Sequence, residues 1–157
     1  MMVERGIAVA TGVMTSGDSV ALSSSSEGQA VECCFKVDFL PAENRAGQMR
    51  QITRDRLSQW NLTKLTDDAT LAVSELVTNA VKHGKGRPVG LRVRRLTHEL
   101  RIEVTDGSPT PARLRSAGPA DENGRGLLLV QAVAKEWGVS RDGTMTWCSL
   151  AIPNEPL

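Results

Sequence analysis

Between Thr66 and Gly84 the residues Ala69, Ala72, Val73, Leu76, Val77, Ala80 and Val81 fall on one apolar stripe. A period of 3.6 residues predicts a helix with one buried side. Asp67 and Asp68 suit the positive end of a helix dipole, Thr66 is a capping residue type, and Gly84 supplies a stop. Directly afterwards the period changes to two. Val89, Leu91 and Val93 alternate with small or charged residues, Thr97-His98-Glu99 turns the chain, and Leu100, Ile102 and Val104 alternate again. A one-sided helix followed by one-sided strands buries its apolar surfaces by stacking helix on sheet. The expected fold class is therefore α+β, a two-layer sandwich with a mixed, mostly antiparallel sheet of about five strands and helices on one face.

The rest of the chain extends this reading. Phe35, Val37 and Phe39 alternate before Pro41, as in a strand, and Met49, Ile52, Leu57 and Trp60 recur at roughly helical spacing across Asn44 to Trp60. Gly107 to Asn123 is rich in proline and lacks a period, which marks a long connecting loop of the kind that usually serves function. A third helix is expected over Gly126 to Lys135. Two final strands, Trp137 to Arg141 and Thr144 to Ile152, flank the hairpin signal Asp142-Gly143. Met1 to Glu32, with its run Ser23-Ser24-Ser25-Ser26, lacks the apolar surface to offset ordering and is expected to be a disordered tail. Residues 33–157 then form one domain.

Composition excludes several functions. Aromatic residues make up 3% of the 157 and tyrosine is absent, so a base-stacking surface is not expected, and a net charge of +1 lacks the basic footprint of a duplex binder. No apolar run reaches the length of a membrane span, roughly 18 residues. Cys33, Cys34 and Cys148 are an odd number without metal-ligand spacing, which suits reduced thiols in a cytoplasmic protein.

Three places carry candidate chemistry. On a helical wheel Glu75, Asn79 and His83 line one edge of the apolar stripe, with Lys82 beside them. A carboxylate and a carboxamide one turn apart offer oxygen atoms to a divalent cation and a water molecule; an ordinary solvated helix edge has the same look. Asp106 ends an apolar strand, where its carboxylate accepts a hydrogen bond from a ligand amine, or simply starts a turn with Gly107. Gly124-Arg125-Gly126 precedes apolar residues of helical spacing. Glycines there let backbone N–H groups approach a phosphate and Arg125 adds a bidentate donor, although a plain helix start has the same sequence. The stretch is neither a Walker A loop nor a Rossmann fingerprint.

Order and spacing bind the three places together. Glu75-Leu-Val-Thr-Asn79-Ala-Val-Lys-His83-Gly84, Val104-Thr-Asp106-Gly-Ser-Pro-Thr-Pro111 and Gly124-Arg-Gly-Leu-Leu-Leu-Val130 resemble the Bergerat-fold (GHKL) ATPases. That superfamily holds the histidine-kinase ATPase domains, gyrase and heat-shock chaperones. The chain looks most like the small anti-sigma-factor serine/threonine kinases of actinobacteria, from about Phe35 to its C-terminus. One departure is visible: many relatives carry Asp-x-Gly-x-Gly where this chain has Asp106-Gly107-Ser108-Pro109-Thr110.

The resemblance implies ATP and Mg²⁺ as cofactors. Asn79 would hold the metal and Glu75 would be the general base. Asp106 would bond the adenine amino group, Gly124 and Gly126 would open a lid over the phosphates, and His83, Gly107, Arg125 and Leu127 would complete the nucleotide-binding set. It further implies a kinase that phosphorylates an anti-sigma-factor antagonist and sequesters a sigma factor; the rival reading is a non-catalytic module in which ATP sets which partner is held. The outer face of the sheet, with Arg92 and Arg94, is available to a partner or to a second copy in a homodimer, or is merely solvated.

Overall fold

The computed structural model describes residues 7–12, 29–106 and 122–153, with side chains described over 29–106 and 127–153. Strand β1 covers Ile7–Gly12 and β2 covers Val31–Phe39. Helix α1 (Arg45–Gln59) leads through a 3-10 turn at Thr63–Leu65 into α2 (Thr66–His83). A hairpin follows, β3 (Val89–Leu96) and β4 (Glu99–Thr105), then α3 (Glu122–Val133), β5 (Glu136–Val139) and β6 (Met145–Ala151). The fold is α+β, as expected.

The six strands form one sheet in the order β1-β2-β3-β4-β6-β5. Every neighbouring pair is antiparallel, which corrects the expectation of a mixed sheet. The physical reason lies in the helices. Phe39 at the end of β2 pairs with Val89 at the start of β3, so α1 runs out from that end of the sheet and α2 brings the chain back to it. An out-and-back helical pair delivers the next strand antiparallel. β4 and β6 repeat the logic, because Thr105 at the end of one pairs with Met145 at the start of the other.

Two further expectations are corrected. β1 lies inside the segment read as a disordered tail, where Ile7–Gly12 adds an edge strand against Cys34 to Phe39. The third helix starts at Glu122 and ends at Val133, rather than spanning Gly126 to Lys135. Lys135 is instead drawn into the sheet margin, its N–H donating to the Ser149 carbonyl at 2.7 Å. Of the long loop expected over Gly107 to Asn123, residues 107–121 lie outside the described residues.

The helices cover one face of the sheet. Phe35, Val37, Leu91, Val93, Leu100, Ile102, Cys148 and Leu150 point from the strands into a core closed by Met49 and Leu57 of α1, by Ala72, Val73, Leu76, Val77 and Ala80 of α2, and by Leu127 and Val130 of α3. Arg50 Nη1 donates to Ser74 Oγ at 2.9 Å, tying α1 to α2. The start of α2 differs from the capped one expected. Leu65 occupies the cap position without a side-chain cap, and the 3-10 turn feeds directly into the helix, while Asp67 and Asp68 sit in the first turn. The Asp142-Gly143 turn is formed, with Gly143 at φ 79° and Asp142 Oδ1 accepting from Ser140 Oγ and from the Thr144 N–H and hydroxyl. Those bonds hold the Asp142 carboxyl below the usual carboxylate range, the Ser140 hydroxyl being the largest cause.

Candidate functional site

α2 carries its apolar stripe inward, with Ala69, Ala72, Val73, Leu76, Val77 and Ala80 buried. Glu75, Asn79 and His83 are each half-buried along the margin of that stripe, and Lys82 is exposed beside them. Residues four apart on a helix share a face and rise about 6 Å along the axis, so the three side chains form one column. Two atoms of that column stand out. Asn79 Oδ1 and His83 Nε2 are buried yet have no hydrogen-bond partner. A buried acceptor without a donor or a cation is costly, on the order of 1–3 kcal/mol, and is rarely left so in a folded protein.

The column ends against Asp106. Gly84 closes α2, its N–H donating to the Ala80 carbonyl at 2.8 Å. A Cβ at Gly84 would meet the Ala80 oxygen at 2.7 Å and lie 3.5 Å from the Asp106 carbonyl oxygen and 3.6 Å from the Asp106 Cβ. Glycine is needed here for close approach rather than for an unusual backbone angle, since the left-handed residues of this turn are Lys85 (φ 54°) and Gly86 (φ 79°). The half-buried Asp106 extends β4 by one bond, its N–H donating to the Thr144 carbonyl at 3.0 Å. The end of the helix and the end of the strand are thus in van der Waals contact.

The start of α3 points to the same end of the sheet. Its C-terminus is fixed at the opposite end, where Lys135 bonds to Ser149 and its ammonium lies 3.5 Å from Glu99 Oε1. Twelve helical residues span about 18 Å, and α3 packs along α2. The first turn, with the backbone of Gly124, Arg125 and Gly126, therefore returns toward the end of the sheet that holds Asp106 and His83. Leu127 sits differently from a ligand contact: its side chain is in the core, so this residue positions the helix and reaches a ligand only through its backbone. Gly107 lies outside the described residues.

The arrangement offers an unpaired oxygen acceptor and an unpaired imidazole nitrogen on the helix margin, a carboxylate at a strand end, and a helix N-terminus with glycines. A cation with an anion attached to it satisfies the first and the last together. Asn79 Oδ1 fits a hard divalent cation, because it is an oxygen donor already stripped of water. Among the described residues no cluster of three or more His, Cys, Asp or Glu side chains could hold a metal by itself, so such a cation would need a ligand of its own.

Sequence reasoning missed a second polar constellation, on the outer face. Arg92, Arg94 and Arg101 converge on the single carboxylate of Glu103. Arg92 Nε donates to Oε1 at 3.0 Å, while Arg94 Nη2 and Arg101 Nε both donate to Oε2, the latter at 2.8 Å. Burial favours the neutral form of Glu103, yet Arg94, Arg101 and Arg92 outweigh it and hold the carboxyl below the ordinary range. Arg94 and Arg101 are each 1% exposed, so the reading of this strand face as solvated fails there. The available signal was the charge alternation of β3 beside Glu103.

Residues 39–151 match the histidine kinase-like ATPase domain. An uncharacterized protein of Streptomyces coelicolor is 39% identical over 75 residues, covering 45% of this chain and 71% of that protein.

Proposed function

The chain belongs to the histidine kinase-like ATPase domain family, and from that premise we propose that it is a cytoplasmic, ATP-dependent protein serine/threonine kinase that phosphorylates an anti-sigma-factor antagonist and thereby controls a sigma factor. ATP binding follows from the family; the rest is our reading. The observation that carries it is the buried, unpartnered Asn79 Oδ1, with Glu75 one turn behind it on the same margin of α2.

In this reading Asn79 would hold Mg²⁺ and His83 would face the phosphates. The bound ion would neutralise charge on the phosphate oxygens. Asp106 accepts from the adenine amino group, at the strand end that Gly84 approaches closely. The α3 N-terminus, with the backbone N–H groups of Gly124, Arg125 and Gly126, would lie over the phosphates. Glu75 orients the attacking hydroxyl of a serine or threonine and takes its proton as that oxygen bonds to the γ-phosphorus. The bond from the γ-phosphorus to the ADP oxygen breaks in the same displacement. Phosphoryl transfer depends mainly on positioning and charge neutralisation, so this small set suffices.

Transfer of label from γ-labelled ATP to a candidate antagonist tests the proposal. Wild type is expected to label the antagonist, and Glu75→Ala to bind ATP with unchanged affinity while transfer falls by at least 100-fold, in line with a lost general base. Nucleotide binding without any transfer in wild type would end the kinase reading and leave a module in which ATP selects the partner.

A further inference from the structure

We propose that the outer face of the sheet binds an acidic segment of another polypeptide, with Arg92 receiving its carboxylate at the mouth of a pocket lined by Lys36, Asp38, Gly90, Arg92, Glu103 and Thr105. The argument starts from a shortage of acceptors. Three guanidinium groups share Glu103, and the Nε and Nη1 of Arg94 have no partner although its side chain is 1% exposed. A buried guanidinium with two unanswered donors is an incomplete arrangement, since desolvated charge is tolerated only when its hydrogen bonds are made. Register produces the shortage: Arg92 faces Glu103 across β3 and β4, whereas Arg94 faces Arg101, a like-charge pair. Burial makes the Arg94 guanidinium easier to deprotonate, and the charges of Arg92 and Arg101 add to this against the pull of Glu103.

Arg92 connects this cluster to solvent. Its side chain is 25% exposed and occupies Oε1 of Glu103. An incoming carboxylate that takes Arg92 releases Oε1, and Glu103 can then present both oxygens to Arg94 and Arg101. The pocket beside Arg92 has a volume of about 340 Å³ and draws its walls from β2, β3, β4 and β6. Gly90 lets the carboxylate of Asp38 lie across its floor, where a Cβ would meet Asp38 Oδ1 at 2.8 Å, and Lys36 answers Asp38 at 3.5 Å. Lys36 offsets Asp38, and three guanidinium groups against the one carboxylate of Glu103 leave the surplus of positive charge that an incoming side-chain carboxylate meets. Val89, Pro88 and Met145 complete the lining with apolar contact for the chain that carries it. The bidentate fit of a guanidinium to a carboxylate supplies the specificity.

The test is fluorescence anisotropy of a labelled hexaglutamate peptide on the full chain without nucleotide, with hexaglutamine and inorganic phosphate as the other arms. Hexaglutamate is expected to bind at least tenfold tighter than hexaglutamine and to weaken with salt. Arg92→Gln should lose at least tenfold while Arg92→Lys keeps most of the binding. Thr105→Glu, which adds a carboxylate at the exposed rim, should weaken it similarly and covers the case in which Arg92→Gln does not fold. Equal binding of both peptides, or variants that bind as wild type does, overturns the proposal; so does displacement by millimolar phosphate, which would make the site one for small oxyanions. ATP affinity, measured separately, is expected to be unchanged in the Thr105 variant. Failure here therefore leaves the nucleotide reading standing.

Discussion

The two polar regions of this protein are incomplete in opposite senses. Along the α2 margin the unanswered acceptor is Asn79 Oδ1, with the ring nitrogen His83 Nε2 also unanswered beside it. On the outer face of the sheet they are donors, Arg94 Nε and Nη1. The first region calls for a cation or a donor, and the second for an anion. Their supports differ as well. Asn79 and His83 project from a helix whose packing is carried by other side chains, whereas Arg94, Arg101 and Glu103 hold one another in place on adjacent strands. A polar group that stands beside the core can serve a ligand at little risk to the fold. One that is bonded into a buried ion cluster serves the fold first.

Removing Glu103 should therefore have the largest effect. Glu103→Gln leaves three guanidinium groups without their shared charge, and breaking a buried ion pair by removing one partner costs about 3–5 kcal/mol. Urea unfolding is expected to show a loss of that order, or no folded protein. The same carboxylate sets an acid dependence. Its folded pKa is depressed, because Arg94, Arg101 and Arg92 overcome the opposing effect of burial. Its contribution is then complete above the ordinary glutamate value of 4.5 and is lost as pH falls through the lower folded value. Wild-type urea midpoints should drop below that pH, and the Gln variant, if folded, should lack that part of the drop. A variant with wild-type stability and acid slope would place the cluster with the ligand-serving groups and erase the contrast.

Gly84→Ala should come next, because it disturbs the joint between the helix margin and Asp106. The added Cβ would lie 2.7 Å from the Ala80 oxygen but at an ordinary 3.5 Å from Asp106, so the last turn of α2 must open and shift the end of the helix against the strand end. Overpacking of this kind costs about 1–3 kcal/mol, and ATP affinity should fall with it. Gly47→Ala in α1 is the control: its Cβ would meet Arg50 Nη2 at 3.5 Å, an ordinary contact, and a better helix former there should leave stability equal or higher. Denaturation curves that rank the two glycines equally would show that the last turn of α2 tolerates a Cβ at Gly84.

Much of this contrast was written in local pattern. The stripe from Ala69 to Ala80 marked α2 almost to the residue, the alternation of β3 and β4 gave the hairpin, and Asp142-Gly143 gave the last turn. The spacing of Glu75, Asn79 and His83 put them on one margin because helical geometry is local. What was not legible depends on distant partners. β1 is a strand because β2 offers it an edge, and Ile7–Gly12 has no alternation to announce it. The approach of Gly84 to Asp106 joins residues 22 positions apart. Arg94 belongs by alternation to an outward strand face, and only cross-strand register shows that Arg101 lies opposite and Glu103 diagonal to it. The start of α3 at Glu122 escapes the sequence for another reason: two glycines among its first five residues look like a loop until the acidic residue at the helix start is counted.

The smallest stability effect, and the sharpest test of the contrast, is expected at Asn79. Asn79→Ala removes a buried acceptor that has no partner, so the protein without ligand should keep its stability within about 0.5 kcal/mol or gain slightly. Mg-ATP should separate the two proteins. At 100 times its dissociation constant a ligand adds about 2.7 kcal/mol, which appears as a raised melting temperature in wild type. An alanine variant with affinity tenfold weaker keeps about half of that gain at the same concentration, about 1.4 kcal/mol. Melting curves with and without Mg-ATP read both quantities at once. If Asn79→Ala instead melts early without ligand and responds to Mg-ATP as wild type does, then Asn79 supports the fold as Glu103 does, and the helix margin is not where the nucleotide is held.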